Sequence, residues 1–172
     1  NVLQLYGQQG SGQVFSSRLS SFSFRDVKQM LDGETETDIE SALDSSTWIV
    51  ISLADVSGGQ LSLLRRFFAE RPNLIRNKNV ILFSFTAPYY LDATDISKLT
   101  AYYALYSRQP PFVDFAARLL FQQVTLQGAS PVSVPAVGYD LIVATSPNDS
   151  QIIPLALEGF APPTTPAPEG AT

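Results

Sequence analysis

The stretch that decides the fold is NVILFSFTAPYYL, residues 79–91. Its first part, residues 80–85, is a short and strongly apolar run that is rich in β-branched and aromatic residues. Such a run is typical of a strand buried on both faces in the middle of a parallel sheet. The run ends before Pro88, because proline has no N–H for a sheet and favours extended geometry in the preceding residue. The segment therefore predicts an inner strand that ends in a sharp turn.

A second apolar run, TWIVISLA at residues 47–54, is predicted to lie beside the first. The loop DVSGGQ, residues 55–60, follows at its carboxyl end, and residues 61–71 place leucines and phenylalanines on one helical face. Strand, loop, helix and strand therefore follow one another over residues 47–85. This order predicts a βαβ unit, in which the two strands are parallel.

The rest of the chain contributes further helices and strands. Helices or helical turns are predicted at residues 26–31, 37–43, 92–99 and 109–124, the second capped by Thr37 or Asp38. The buried stripe of the last helix is predicted to be Phe112, Phe115, Ala116, Leu119, Leu120 and Val124. Further strands are predicted at residues 2–6, around Phe22 and Phe24, and at residues 100–106, 139–144 and 152–157.

Together these elements predict an α/β fold. We expect a three-layer α/β/α sandwich with a mostly parallel, flavodoxin-like sheet, formed by one domain over residues 1–160. Residues 161–172 are rich in proline, alanine and threonine without periodicity, which predicts a tail or linker.

The charge and hydropathy of the chain narrow the range of partners. The net charge is −5 and the pI is about 4.6, so we expect neither nucleic acid nor an anionic membrane surface as a partner. No apolar stretch approaches the roughly 20 residues that span a bilayer, and no basic segment precedes an apolar one as in a signal peptide. A strand-like run begins at Asn1, which suggests a piece of a longer precursor; we expect a bacterial, extracytoplasmic or secreted protein.

The chain contains no cysteine and no histidine. Their absence excludes Ser–His–Asp and Cys–His catalysis within it and removes thiolate and imidazole as metal ligands. The glycine-rich loop at residues 7–13 lacks the order of a phosphate-binding loop. Asp92, Asp95 and Asp140 are too scattered to predict a metal site. We therefore expect no cofactor.

The candidate functional residues follow the two predicted inner strands, where ligands of open α/β sheets bind. They are Asp55, Ser57, Gly58, Gly59 and Gln60 after the first strand, and Thr86, Pro88 and Tyr89 after the second. Asp55 is the best-placed carboxylate for acid–base chemistry. Paired carboxylates support glycoside hydrolysis, and three further aspartates lie in loops that can share the same edge of the sheet: Asp26, Asp92 and Asp95. An aspartate after a strand is more often a helix cap or a solvated loop residue. The tyrosines suit either sugar stacking or the core: Tyr89, Tyr90, Tyr102, Tyr103 and Tyr106.

Four pieces of the chain, in order, resemble the C-terminal α/β domain of family 3 glycoside hydrolases, which include β-glucosidases and β-N-acetylhexosaminidases. The pieces are the strand and proline turn NVILFSFTAPYYL, the strand TAYYALYS at residues 100–107, the helix FVDFAARLLFQQ at residues 112–123 and the segment GASPVSVP at residues 128–135. One departure is that the glycine usual after the Leu-Phe of this helix is Gln122 here. The part of the chain before residue 79 fits only in its βα pattern.

The resemblance implies an accessory part of an O-glycosyl hydrolase that is not catalytic alone. In such enzymes the nucleophilic aspartate lies on an N-terminal (β/α)-barrel, for which this chain is too short. The β-glucosidase-like branch takes its acid/base glutamate from the second domain, but Glu34, Glu36 and Glu40 belong here to a loop and a helix start. The implied partners are the barrel of the same polypeptide and a carbohydrate bound jointly with it. The two candidate loops would then face the barrel or form the rim of its sugar site.

Two alternatives stay open from the residues. The tyrosines also suit a non-enzymatic carbohydrate-binding or protein-interaction module. A receiver-like or nucleotide-binding domain would need a phosphate-binding loop or an acidic pocket with a lysine, and neither occurs in usable order.

Overall fold

The computed structural model describes residues 19–34, 38–126 and 128–146. The strands predicted at residues 2–6 and 152–157, the loop at residues 7–13 and the tail at residues 161–172 lie outside these ranges.

Within the described ranges, three parallel strands form the sheet, in the order β1 (Trp48–Leu53), β2 (Asn79–Ser84) and β3 (Ala101–Ala104). Trp48 is paired with Asn79 in the first ladder, and Ile81 with Ala101 in the second. The residues of β2 after Asn79 are all buried, as expected for a strand with a neighbour on each side. The predicted parallel pairing of the two apolar runs is therefore confirmed.

Helices connect and flank the strands. Their bounds are α1 (Phe24–Asp32), α2 (Ile39–Ser45), α3 (Gln60–Glu70), α4 (Ala93–Ile96), α5 (Pro110–Leu120) and α6 (Leu141–Thr145). Single 3₁₀ turns occur at Pro72–Leu74, Pro88–Tyr90 and Pro135–Val137. Proline opens each turn and α5, where its missing N–H and fixed φ cost nothing.

Two predicted strands are wrong, because side-chain caps start helices there. The Ser23 hydroxyl accepts a hydrogen bond from the N–H of Asp26, whose carboxylate accepts one from the N–H of Ser23, so α1 begins where an edge strand was predicted around Phe22 and Phe24. The carboxylate of Asp140 accepts hydrogen bonds from the N–H groups of Ile142 and Val143, which starts α6 within the strand predicted at residues 139–144.

One apolar cluster lies on each face of the sheet. On the first face, α1, α2 and α3 bury one cluster against β1 and β2: Met30, Leu31, Ile39, Leu53, Leu64, Phe67, Phe68, Leu74, Leu82 and Leu91. On the second face, α5 packs over β2 and β3 around Ile81, Phe83, Phe85, Leu105 and Ala116. The α/β class is thereby confirmed, whereas the complete three-layer sandwich stays a prediction: on the second face Trp48 is 58% exposed and Val50 36% exposed.

The buried side of α5 differs from the predicted stripe at three positions: Ala117 is buried as well, Phe112 is exposed, and Val124 lies beyond Leu120, where the helix ends. Ala116 and Ala117 are buried, and Phe115, Leu119 and Leu120 pack against the second cluster. Phe112 is exposed, so its predicted burial is wrong. It lies in the first turn of the helix.

The helix α5 ends in a left-handed turn at Gln122, which has a φ of 56°. The N–H of Gln122 donates to the carbonyl of Leu119 at 3.0 Å, and the N–H of Gln123 donates to the carbonyl of Arg118 at 2.9 Å. These two hydrogen bonds define the helix ending in which glycine is the preferred residue. The position at which the sequence departs from the glycoside hydrolase pattern thus keeps a backbone conformation that favours glycine.

Candidate functional site

The candidate site is the edge of the sheet at which the three parallel strands end, called here the carboxyl rim. It consists of the loops at residues 54–59, 85–92 and 105–109, which follow β1, β2 and β3. Because parallel strands end at the same side of a sheet, the three loops are neighbours there.

Asp55 stabilises the loop that follows β1. Its carboxylate accepts hydrogen bonds from the hydroxyl of Ser57 at 2.7 Å and from the N–H of Ser57 at 2.9 Å. A Cβ atom on Gly58 would lie 2.6 Å from the Asp55 carboxylate oxygen, so only glycine fits there without a shift. The hydrogen bonds from Ser57 and from the Gly58 backbone, with the positive charge of Arg108, lower the pKa of Asp55. An ionised, hydrogen-bonded carboxylate of this kind is unsuited to act as a general acid.

The start of α3 is tied to the end of β1. The side-chain oxygen of Gln60 accepts hydrogen bonds from the N–H groups of Ala54, at 3.1 Å, and Asp55, at 3.0 Å. Gly59, with a φ of 84°, supplies the left-handed residue that turns the chain into the helix. Gln60 and Gly59 therefore fix the shape of the first loop.

Tyr102 connects the loop after β2 to β3. Its hydroxyl donates to the carbonyl of Pro88 at 2.9 Å. Burial raises the pKa of the Tyr102 phenol to about 12, although a hydrogen bond with Ser84 acts in the opposite direction. The Ser84 hydroxyl also lies 3.0 Å from the hydroxyl of Thr86. Thr86 and Pro88 thus hold the turn, and the next residue, Tyr89, is exposed.

An ion pair holds the far end of the same loop against α3. The guanidinium of Arg65 donates to the buried carboxylate of Asp95 at 2.8 Å and to the carbonyl of Tyr90 at 2.9 Å. The N–H of Asp95 donates to the carboxylate of Asp92, which caps α4. Both aspartates are therefore structural, as is Asp26, the cap of α1.

The loop after β3 brings in Tyr106, one of the candidate tyrosines, and Arg108, to which the sequence did not point. Tyr106 has a φ of 59° and an exposed side chain. Arg108 lies near enough to Asp55 for its charge to lower the pKa of that carboxyl. Arg108 thus contributes to the electrostatics of the loop after β1, and the tyrosine-rich strand was the only sequence signal for the loop after β3.

Among the described residues, no three acidic side chains gather into a possible metal site. The remaining tyrosine of the candidates, Tyr103, stacks on Phe83 with ring centroids 5.2 Å apart, within the packing of the second face. Tyr89 and Tyr90 pack against each other with their ring centroids 4.8 Å apart. The rim therefore combines exposed aromatic rings with hydrogen-bonding groups, whereas its aspartates serve the backbone or an ion pair.

A cavity of about 630 Å³ lies beside the rim, between α1 and the start of α3. Gly58 and Gly59 line it together with Arg25, Lys28 and Arg66. Two of these three cations are already paired, because the Asp32 carboxylate contacts Lys28 and Arg66.

No protein-family model, curated protein or solved structure shows significant similarity to the chain. The glycoside hydrolase resemblance accordingly rests on the residues quoted for it. Within the described ranges, none of the helices has the length and apolar character needed to cross a membrane.

Proposed function

We propose that this chain is the C-terminal, accessory domain of a glycoside hydrolase of the β-N-acetylhexosaminidase or β-glucosidase type. In this proposal it packs on a catalytic (β/α)-barrel of the same polypeptide and helps to shape the sugar site. The loops at the carboxyl rim face the barrel, and the chain alone performs no turnover.

The observation that carries the proposal is that the aspartates of the carboxyl rim make structural contacts, whereas two of its tyrosines are exposed. Asp55, Asp92 and Asp95 are engaged in loop, cap and ion-pair contacts, so none of them forms the free pair of carboxylates that glycoside hydrolysis needs. Tyr89 and Tyr106, by contrast, are exposed at the same edge. Such a surface suits a contribution to binding better than a contribution to the chemical step.

The end of α5 supports the resemblance on which the proposal depends. The family pattern has glycine where this chain has Gln122, and the backbone there adopts the left-handed conformation that glycine prefers. A substitution at a glycine position therefore explains the one departure in the helix better than a different local fold.

An aryl-glycoside assay tests the proposal. The 172-residue chain is incubated with 4-nitrophenyl β-D-glucoside and with 4-nitrophenyl N-acetyl-β-D-glucosaminide. We expect no release of nitrophenol above the buffer rate. Release proportional to the concentration of the chain would refute the accessory role.

The second candidate function is a non-enzymatic carbohydrate-binding module, which the two exposed tyrosines of the rim favour. Calorimetric titration of the chain with chitin and glucan oligosaccharides separates the two candidates. Saturable binding that depends on the sugar and on its length would favour the module, because the accessory domain is expected to bind tightly only together with the barrel.

A further inference from the structure

The strand β1 lies at an edge of the sheet within the described part of the chain, although its sequence is typical of an inner strand. WIVISL, residues 48–53, contains no charged residue and no proline, which are the residues that commonly protect an edge strand from further pairing. On the second face Trp48 is 58% exposed and Val50 36% exposed, whereas Ile81, the partner of Val50 in β2, is buried. The outer side of β1 is therefore an apolar edge that has no neighbouring strand among the described residues.

This free edge also carries backbone groups that can form a further ladder. The carbonyl of Thr47 accepts a hydrogen bond from the N–H of Asn79 at 3.0 Å. The carbonyl of Leu53 accepts one from the N–H of Phe85 at 2.9 Å. The backbone groups of the odd-numbered residues of β1 therefore point towards β2. Because the direction of these groups alternates along a strand, those of the even-numbered residues point to the free edge: Trp48, Val50 and Ser52.

The path of the chain indicates on which side of β1 a preceding strand lies. The connection from β1 to β2 runs through α3 on the first face, and the two helices that precede β1, α1 and α2, pack into the same cluster on that face. Crossover connections between parallel strands are right-handed, so successive connections over one face advance in the same direction across the sheet. A parallel strand that precedes α1 therefore belongs on the side of β1 away from β2, which is the free edge.

We propose that residues 2–6, VLQLY, occupy the free edge of β1 as a further parallel strand. A parallel strand in this position ends at the carboxyl rim. The helix α1 begins beside that rim, because Phe24 lines the same cavity as Gly58 and Gly59. Residues 7–23 then connect the strand to the helix without crossing the length of the sheet. The inference concerns the edge of the sheet and does not rest on the proposed function.

The alternation of VLQLY also indicates which way the segment faces. Side chains alternate between the two faces of a strand, so Leu3 and Leu5 share one face and Gln4 lies on the other. The first face is the one that α1 and α2 cover with apolar side chains. Leu3 and Leu5 therefore extend the cluster on the first face, and Gln4 lies on the same face as the exposed ring of Trp48.

The other apolar segment outside the described ranges, residues 152–157, suits this edge less well. Pro154 lies inside it and has no N–H to donate to a ladder. The chain before it also passes the far side of the sheet, because the turn at Pro135–Val137 packs against α4, which lies between β2 and β3 in the chain.

Amide hydrogen exchange of the 172-residue chain, followed by NMR, tests the placement. Amides at an unpaired edge exchange rapidly, whereas amides in a ladder exchange only when it opens. We expect the amides that point to the free edge to exchange at least about tenfold more slowly than unpaired amides: Trp48, Val50 and Ser52. We also expect nuclear Overhauser effects between residues 2–6 and β1.

Two substitutions that introduce the same side chain test the facing of the segment. Leu5→Asp places a carboxylate against the apolar first cluster and should release the strand, so that the edge amides exchange at least about tenfold faster than in the parent. Gln4→Asp places the carboxylate on the open face and should leave their exchange unchanged. Trp48 is the single tryptophan of the chain, so its fluorescence should shift to longer wavelength in Leu5→Asp alone. The amide of Leu82, in the inner strand β2, reports whether the rest of the sheet stays folded.

Rapid exchange of the edge amides in the parent would overturn the proposal, as would equal effects of the two substitutions with Leu82 still protected. Overhauser effects from β1 to residues 152–157 would assign the edge to that segment instead. Protection that falls on dilution would assign it to a second copy of the chain, and both results contradict the proposal. If Leu5→Asp unfolds the whole sheet, the exchange and the Overhauser effects of the parent decide.

Discussion

Replacing Gln122 by glycine is expected to stabilise the protein, which is unusual for a change that removes a side chain. Gln122 is exposed and has a φ of 56°, so the substitution loses little packing and relieves a left-handed conformation. That conformation costs a residue with a Cβ about 1–2 kcal/mol. Glycine is more flexible than glutamine in the unfolded chain, which offsets about 0.5–1 kcal/mol of the stabilisation gained from relieving this conformation. The net increase in the free energy of unfolding is therefore expected to be about 0.5–1 kcal/mol.

The reverse substitution at the end of α1 is the matched control. Gly33 also occupies a left-handed helix ending, with a φ of 69°, and a Cβ placed there meets nothing within 4 Å. Gly33→Ala therefore reports the backbone cost alone and should lower the free energy of unfolding by about 0.5–1 kcal/mol. Gln122→Ala, which keeps the Cβ, should be nearly neutral.

Urea denaturation of the variants measures these differences, provided that the dependence on denaturant is unchanged. For a chain of 172 residues, 1 kcal/mol corresponds to a shift in melting temperature of about 2–4 °C. A Gln122→Gly variant less stable than the parent, alongside a destabilised Gly33→Ala, would refute the reasoning, because both positions share one backbone conformation.

Three further predictions concern the contacts of the carboxyl rim. Ser57→Ala should raise the pKa of Asp55 towards its usual value, because the Ser57 hydroxyl bond is the largest cause of the lowered pKa; carboxyl NMR titration of both forms measures it. Tyr102→Phe should cost about 1 kcal/mol at neutral pH through the lost hydrogen bond. The folded-state pKa of Tyr102 is raised to about 12, so the stability that its protonated form contributes is present below the usual tyrosine pKa of about 10 and is lost as the pH rises towards 12. The variant lacks this titration and should therefore lose stability less steeply in alkali than the parent. Urea denaturation at several pH values tests both points. Arg65→Met should cost about 2 kcal/mol or more, because it leaves the buried carboxylate of Asp95 without its cation. Asp95→Asn should cost less, because the partly exposed guanidinium of Arg65 keeps the Asp92 carboxylate and the Tyr90 carbonyl as partners; equal losses in urea denaturation would contradict this asymmetry.

The inner strands were predictable because their signal is local and redundant. The runs at residues 47–54 and 80–85 are apolar and bounded by turn residues, and they match β1 and β2 to within one residue at each end. The strand predicted at residues 139–144 was wrong, because a short apolar run is compatible with either a strand or a helix. The hydrogen bonds from Ile142 and Val143 to the Asp140 carboxylate decide for the helix.

The candidate site was predictable in its position but only partly in its composition. The order of strands and loops placed Asp55 and Pro88 at one edge of the sheet, as the structure confirms. The effect of the Arg108 charge on the pKa of Asp55 depends on the path of the loop after β3, which no pattern in the sequence indicates. The left-handed backbone of Tyr106 was likewise hidden, because tyrosine is not a residue type that signals such a turn.

The most direct test of the account is the kinetics of the polypeptide that carries this chain together with its proposed catalytic barrel. We expect that polypeptide to hydrolyse an aryl β-glycoside. We also expect Tyr106→Ala to raise its KM about threefold to tenfold with a smaller effect on kcat, because an exposed ring that only binds the substrate contributes to binding rather than to the chemical step. The control substitution Tyr139→Ala should leave both constants unchanged. A KM that Tyr106→Ala leaves at the value of the parent would contradict the claim that the carboxyl rim shapes the sugar site.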